Sequence, residues 1–166
     1  MEKKLLSDQN MTAAMRTEGI TSLNFEEDKS LDFKIIKDHP NLKELNLRDR
    51  DLNSDGAVFL SELNLENLEK LNLSYNYLAA EGAEHLIKAN LPNLQILNLS
   101  RCSIGKKGAK FLSEGNFPSL QELYLDENDI RIKGLIHFLN GNFENLKQLD
   151  LSYNNIIGLE DYKPEQ

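Results

Sequence analysis

The 166-residue chain sets 27 aspartates and glutamates against 19 lysines and arginines, a formal net charge of −8 with a pI of about 4.9. That balance excludes general binding to phosphate backbones, which needs clustered basic side chains, but not a basic partner. The single cysteine excludes an internal disulfide, and no stretch reaches the roughly 18 apolar residues of a membrane span, so one domain free of membrane and nucleic acid is expected.

The beginning, MEKKLLSDQNMTAAM, is basic but has an apolar run of only two leucines, too short for a Sec-type signal peptide. A cytoplasmic, reducing location is the expectation. Residues 1–19 are read as an N-terminal capping segment, with Leu5, Leu6, Met11 and Met15 on one face of a short helix. Residues 20–41 read as a degenerate copy of the repeats that begin at Leu42, with ITSLNF as a strand and KIIKDHPNL matching the later joint ANLPNL.

From 42 to 156 the chain repeats itself. LKELNLRDRDL, LEKLNLSYNYL, LQILNLSRCSI, LQELYLDENDI and LKQLDLSYNNI start at Leu42, Leu68, Leu94, Leu120 and Leu146, 26 residues apart each time. A fixed period in the range of 20 to 30 residues decides the fold before any local detail. The alternation LxL predicts a half-buried strand of about five residues. Arg50, Asn76, Cys102, Asn128 and Asn154 share the next column, where asparagine side chains can satisfy backbone groups in a ladder. Cys102 is thus expected to be a buried structural residue.

A glycine recurs at Gly56, Gly82, Gly108 and Gly134, each followed by small or apolar residues at helical spacing. It either permits a close backbone approach or makes an unusual turn at the helix start. Asn64, Asn90, Asn116 and Asn142 are expected to close these helices in the left-handed conformation. Leu65, Leu91, Phe117 and Phe143 then dip back into the core. The fifth copy is truncated after its strand, and 157–166 form a tail. Ile156, Ile157, Leu159 and Tyr162 are expected to fold over the last leucines.

Strands stack at about 4.8 Å and helices at about 8–10 Å. The expected fold is therefore an α/β solenoid, a right-handed β-α superhelix or horseshoe with a concave parallel sheet and convex helices. The unit L-x-x-L-x-L-x-x-N/C-x-L resembles the leucine-rich repeats. The glycine-alanine helix start is similar to the ribonuclease-inhibitor-like class, over residues 20–156. The resemblance implies protein recognition through the concave face. Short cytosolic repeats without a Sec signal also resemble proteins that bacteria inject into host cells, and the acidic tail GLEDYKPEQ loosely resembles the export signals of some of them. Such an effector acting on a host protein is one alternative. A structural segment self-associating through its C-terminal edge is another.

Catalytic and metal-binding patterns are missing from the sequence. His85 and His137 share a helix column two copies apart, roughly 16–20 Å, too far for one metal. His39 stands alone. The acids Asp49, Asp51, Asp55, Asp126, Glu127 and Asp129 lie on two turns without the spacing of a calcium loop. There is no phosphate-cradling glycine loop, nucleophile elbow or zinc motif. A non-enzymatic protein without cofactor or metal is expected, binding another protein. The outward strand positions and the position after them supply the candidate binding residues Arg48, Lys70, Tyr75, Ile96, Arg101, Tyr124, Asp126, Glu127 and Tyr153. Tyrosine and arginine are enriched in binding hot spots.

Overall fold

In LKELNL, Leu42, Leu45 and Leu47 are buried while Glu44 and Asn46 stay partly open, the period-two signature of a strand with one face on a core. The computed structural model of the protein describes residues 21–25 and 36–158. Within them, three-residue strands β1 (Ser22–Asn24), β2 (Glu44–Asn46), β3 (Lys70–Asn72), β4 (Ile96–Asn98), β5 (Glu122–Tyr124) and β6 (Gln148–Asp150) form one parallel sheet in chain order. The register sets Leu23, Leu45, Leu71, Leu97, Leu123 and Leu149 side by side. Between strands run helices α1 (Ser54–Ser61), α2 (Ala79–Leu86), α3 (Gly105–Glu114) and α4 (Arg131–Leu139). Each packs on the next, and because helices need nearly twice the room of strands the sheet lies on the inside of the curve.

The strands are shorter than the five residues expected. The backbone turns left-handed at Asp49, Tyr75, Arg101, Glu127 and Tyr153. Bonds between repeats nonetheless continue past the strand, from Leu47 N to Asn72 O at 2.8 Å and from Asp49 N to Ser74 O at 3.0 Å. The glycine column serves close approach rather than a turn. A Cβ on Gly108 would stand 2.7 Å from Ile104 Cγ2 and 3.1 Å from the Ala80 Cα of the preceding helix, so any side chain there pushes α2 and α3 apart.

The expected left-handed helix closure at Asn64, Asn90, Asn116 and Asn142 does not occur, because none of the four has a positive φ. The helices end by tightening instead, with the Glu62 N–H on Phe59 O and the Lys88 N–H on His85 O. Asn64 then pairs with Asn90 in a parallel bridge. Just beyond, a second ladder joins the repeats. Asn67, Asn93, Ser119 and Asn145 donate from their side chains to the carbonyls of Pro40, Glu66, Pro92 and Pro118.

One continuous apolar core runs through all repeats, with Leu65, Leu91 and Phe117 in it and Phe143 packed against it. It thins at the C-terminal end. Leu146, Leu149 and Leu151 are only partly buried, and Ile157 is 81% exposed, so Ile157 does not fold over the last leucines as expected. Nothing among the described residues packs over the last repeat to receive it. The proposed cap residues Leu5, Leu6, Met11 and Met15, and Leu159 and Tyr162 of the tail, lie outside the described residues.

The asparagine column forms the expected ladder. Asn128 Oδ1 accepts from the backbone N–H groups of Cys102 and Ile104, one repeat earlier, at 2.9 and 3.1 Å. Its Nδ2 donates to Leu99 O and Leu125 O. Asn76 and Asn154 do the same in their repeats. Cys102 is fully buried in this column, its thiol donating to Leu73 O at 3.0 Å. Burial pushes the thiol up to about 12, only partly offset by the Asn76 N–H turned toward the sulfur. Arg50 heads the column, with its Nε on Arg48 O and its buried Nη1 unpaired.

Burial along these columns sets the expected cost of substitution. Leu97→Ala, at a fully buried position of a central strand, should cost about 2–5 kcal/mol. Leu149→Ala, in the half-covered last strand, should cost less in the same denaturant titration. For Cys102, thiol reagents should label the native protein slowly and the denatured protein readily. Its contribution to stability should be complete below the ordinary thiol range and be lost as pH rises toward 12. Cys102→Asn, which restores the amide of the column, should keep or raise the melting temperature, whereas Cys102→Ala should lower it.

Candidate functional site

The sheet presents its polar side in rows, because residues held in register stack one per repeat. Across the strand starts run Glu44, Lys70, Ile96, Glu122 and Gln148. A second row holds Asn46, Asn72, Asn98, Tyr124 and Asp150. Beyond the strands come Arg48, Ser74, Ser100, Asp126 and Ser152, then a rim of Asp49, Tyr75, Arg101, Glu127 and Tyr153. The rim residues all sit at φ between 54° and 61°. This conformation costs a non-glycine residue roughly 1–2 kcal/mol. It persists because inter-repeat bonds such as Tyr75 N to Ser100 O at 2.9 Å hold it.

Four of the candidate residues form one connected chain. Arg48 Cζ lies 3.8 Å from the centre of the Tyr75 ring, and Arg101 Cζ lies 4.8 Å from it, one guanidinium from the repeat before and one from the repeat after. Both are within the range of a cation–π contact. Arg101 in turn pairs with Glu127, which raises the guanidinium pKa further. Arg48 also donates to Ser74 Oγ at 3.3 Å.

The other candidates stand around this chain. Lys70 pairs with Glu44 at 2.7 Å, and that hydrogen bond raises the ammonium pKa. Ile96 is half-buried between Lys70 and Glu122. The Tyr124 hydroxyl donates to Glu122 Oε2 at 2.8 Å, and this bond to a carboxylate raises the phenol pKa. The Asp126 carboxylate accepts from the Ser100 hydroxyl. Tyr153 stands at the far end of the rim, 81% exposed.

The Glu44–Lys70 pair was missed in the sequence, although opposite charges one period apart on outward strand positions are the signal for it. Such exposed pairs contribute at most about 1 kcal/mol each, so they set the shape of the surface more than its stability.

Nothing in this arrangement resembles a reaction centre. His39 is buried at the start of the described repeats, while His85 and His137 are half-buried on α2 and α4. Among the described residues no group of three or more His, Cys, Asp or Glu is placed to hold a metal ion. None of their helices is long and apolar enough to cross a membrane. A depression of about 270 Å³ lies at the opposite end of the strands, between Gln95, Ser119, Gln121 and Lys147. That is smaller than the usual small-molecule site and lined by polar groups.

The family model for leucine-rich repeats matches residues 64–86, 90–113 and 144–161. A comparison with curated proteins finds no match. The intervening repeat, with β5 and α4, continues the same register between matched neighbours. Leucine-rich repeats in general mediate protein–protein interaction. With its six described parallel strands inside and its helices outside, the chain is a leucine-rich repeat protein, an α/β solenoid.

Proposed function

We propose that the chain is a non-enzymatic protein-binding module that takes its partner on the concave face of the sheet. The observation that carries this reading is the Arg48–Tyr75–Arg101–Glu127 chain at the C-terminal ends of the strands. Long side chains normally lose rotamer freedom on binding, and here mutual stacking has already restricted them. Tyrosine and arginine are also the residues that most often anchor interfaces. Six strands at about 4.8 Å make a strip roughly 25 Å long, enough for the roughly 800 Å² per partner of a standard interface. The repeats belong, on this reading, to the ribonuclease-inhibitor-like class, because each described full repeat returns through a helix, with a glycine-alanine pair in α1, α2 and α3 and with Gly108 and Gly134 packed on the alanines of the preceding helix.

A second reading rests on the C-terminal end. The partly buried Leu146, Leu149 and Leu151 and the edge of β6, unpaired among the described residues, offer a surface for self-association. Sedimentation of the intact chain distinguishes it, since a concentration-dependent dimer lost in Leu149→Lys supports it and a monomer at all concentrations removes it.

For the concave face, Tyr75→Ala and Arg101→Ala should each weaken the affinity for a partner captured from lysate by about 2 kcal/mol or more, with the melting temperature shifted by no more than a few degrees. Tyr124→Ala should act in the same direction. Lys88→Ala and Lys110→Ala, on the helix side, remove only exposed pairs with Glu84 and Glu114 and should leave binding intact. The reverse pattern would move the site to the helices.

A further inference from the structure

The concave face is not uniform in charge. On β2 to β4 its outward rows and rim carry Arg48, Lys70 and Arg101 against Glu44 and Asp49, and two of these cations are paired within the face or its rim. On β5 and β6 the same positions carry Glu122, Asp126, Glu127 and Asp150 with no lysine or arginine. Arg101 reaches Glu127, but among the described residues no cation forms an ion pair with Glu122, Asp126 or Asp150. These carboxylates are held in place by neutral donors, the Tyr124 hydroxyl, the Ser100 hydroxyl and the Ser152 N–H. Like charges on adjacent strands oppose folding rather than favour it.

The rim itself shows what this half lacks. Tyr75 has a guanidinium from each neighbouring repeat, and one of them, Arg101, bridges its ring to Glu127. Tyr153 occupies the same rim row one repeat beyond Glu127, with the same left-handed backbone (φ 55°). Its ring is 81% exposed, and no guanidinium or ammonium lies over it among the described residues. The chain therefore builds a tyrosine–arginine–carboxylate arrangement once from its own residues. It repeats the tyrosine and the carboxylates at β5–β6 without the cation.

We infer that the β5–β6 half of the concave face accepts arginine side chains of a basic partner protein, stacked on Tyr153 and paired with Asp126 and Asp150. The inference rests on the concave-face reading and names the chemistry of its partner. Guanidinium suits the surface better than ammonium because it stacks on a ring and pairs with carboxylates in one plane.

The test is an amide and ring NMR titration of the intact, isotope-labelled chain with three blocked hexapeptides, of arginine, lysine and glutamate, at physiological ionic strength. The expected result is that hexa-arginine binds more tightly than hexa-lysine and shifts the signals of β5, β6 and the Tyr124 and Tyr153 rings. Tyr153→Ala should weaken it at least about threefold, the loss of one cation–π contact. Asp126→Asn combined with Asp150→Asn should weaken it further and flatten its salt dependence. Lys88→Ala, on the helix side, should leave it unchanged. If hexa-arginine shifts spread over the acidic helix positions Glu81, Glu84 and Glu114 and ignore Tyr153→Ala, only net charge is at work and the inference is overturned. If hexa-glutamate binds instead, at Arg48, Lys70 and Arg101, the partner is acidic, and the inference fails while the concave-face reading stands. If none of the three peptides moves the sheet, both fail.

Discussion

The backbone N–H groups of Arg50 and Leu52 are buried in the turn after β2, and the side-chain oxygen that accepts both belongs to Asn76, one repeat further on. The same holds for Cys102 and Ile104 with Asn128, and for Asn128 and Ile130 with Asn154. An unpaired buried donor costs about 1–3 kcal/mol, so each of these turns is stable only when its successor is in place. Leucine burial is likewise shared, since Leu71, Leu97 and Leu123 lie between neighbours rather than within one repeat. Stability is therefore a property of adjacent pairs, as in other solenoids.

This dependence also shapes the surface. The left-handed turn after each strand brings its rim residue onto the open edge of the concave face. Asp49, Tyr75, Arg101, Glu127 and Tyr153 are thereby placed one per repeat along a line, whatever their chemistry. The ladder supplies the spacing, and the rim residues supply the variation. That is why Arg48 and Arg101 meet the ring of Tyr75 although 27 and 26 residues separate them from it. The central column tolerates less. Cys102 fits because a small thiol can donate to Leu73 O, and Arg50 fits at the cost of one unpaired nitrogen.

The leucine columns were legible from the sequence because burial in a stacked sheet forces period two within a repeat and a fixed period between repeats. The role of Asn76, Asn128 and Asn154 followed from the same repetition. Asn64 and Asn90 look alike in sequence but bridge extended backbone on the far side of the turn, because helix closure is decided by local backbone bonds that composition does not show. The second ladder at Asn67, Asn93, Ser119 and Asn145 went unread because its donors are exposed polar side chains, which residue type alone does not separate from solvated surface. Of the candidate surface, the membership of Arg48, Tyr75, Arg101 and Glu127 was visible and their mutual contact was not, since it depends on the rotamers of long side chains. Ile157 is exposed despite its apolar side chain because covering requires an element packed on the last repeat, which residue type alone does not supply.

The most direct test of forward coupling between repeats is native-state hydrogen exchange on Asn128→Ala. Its side chain closes the turn of the preceding repeat, so protection should be lost first at the amides of Cys102 and Ile104, about one repeat upstream of the substitution. Deprotection confined to residues 125–130, with Cys102 and Ile104 still protected, would contradict it and make each repeat's turn self-sufficient.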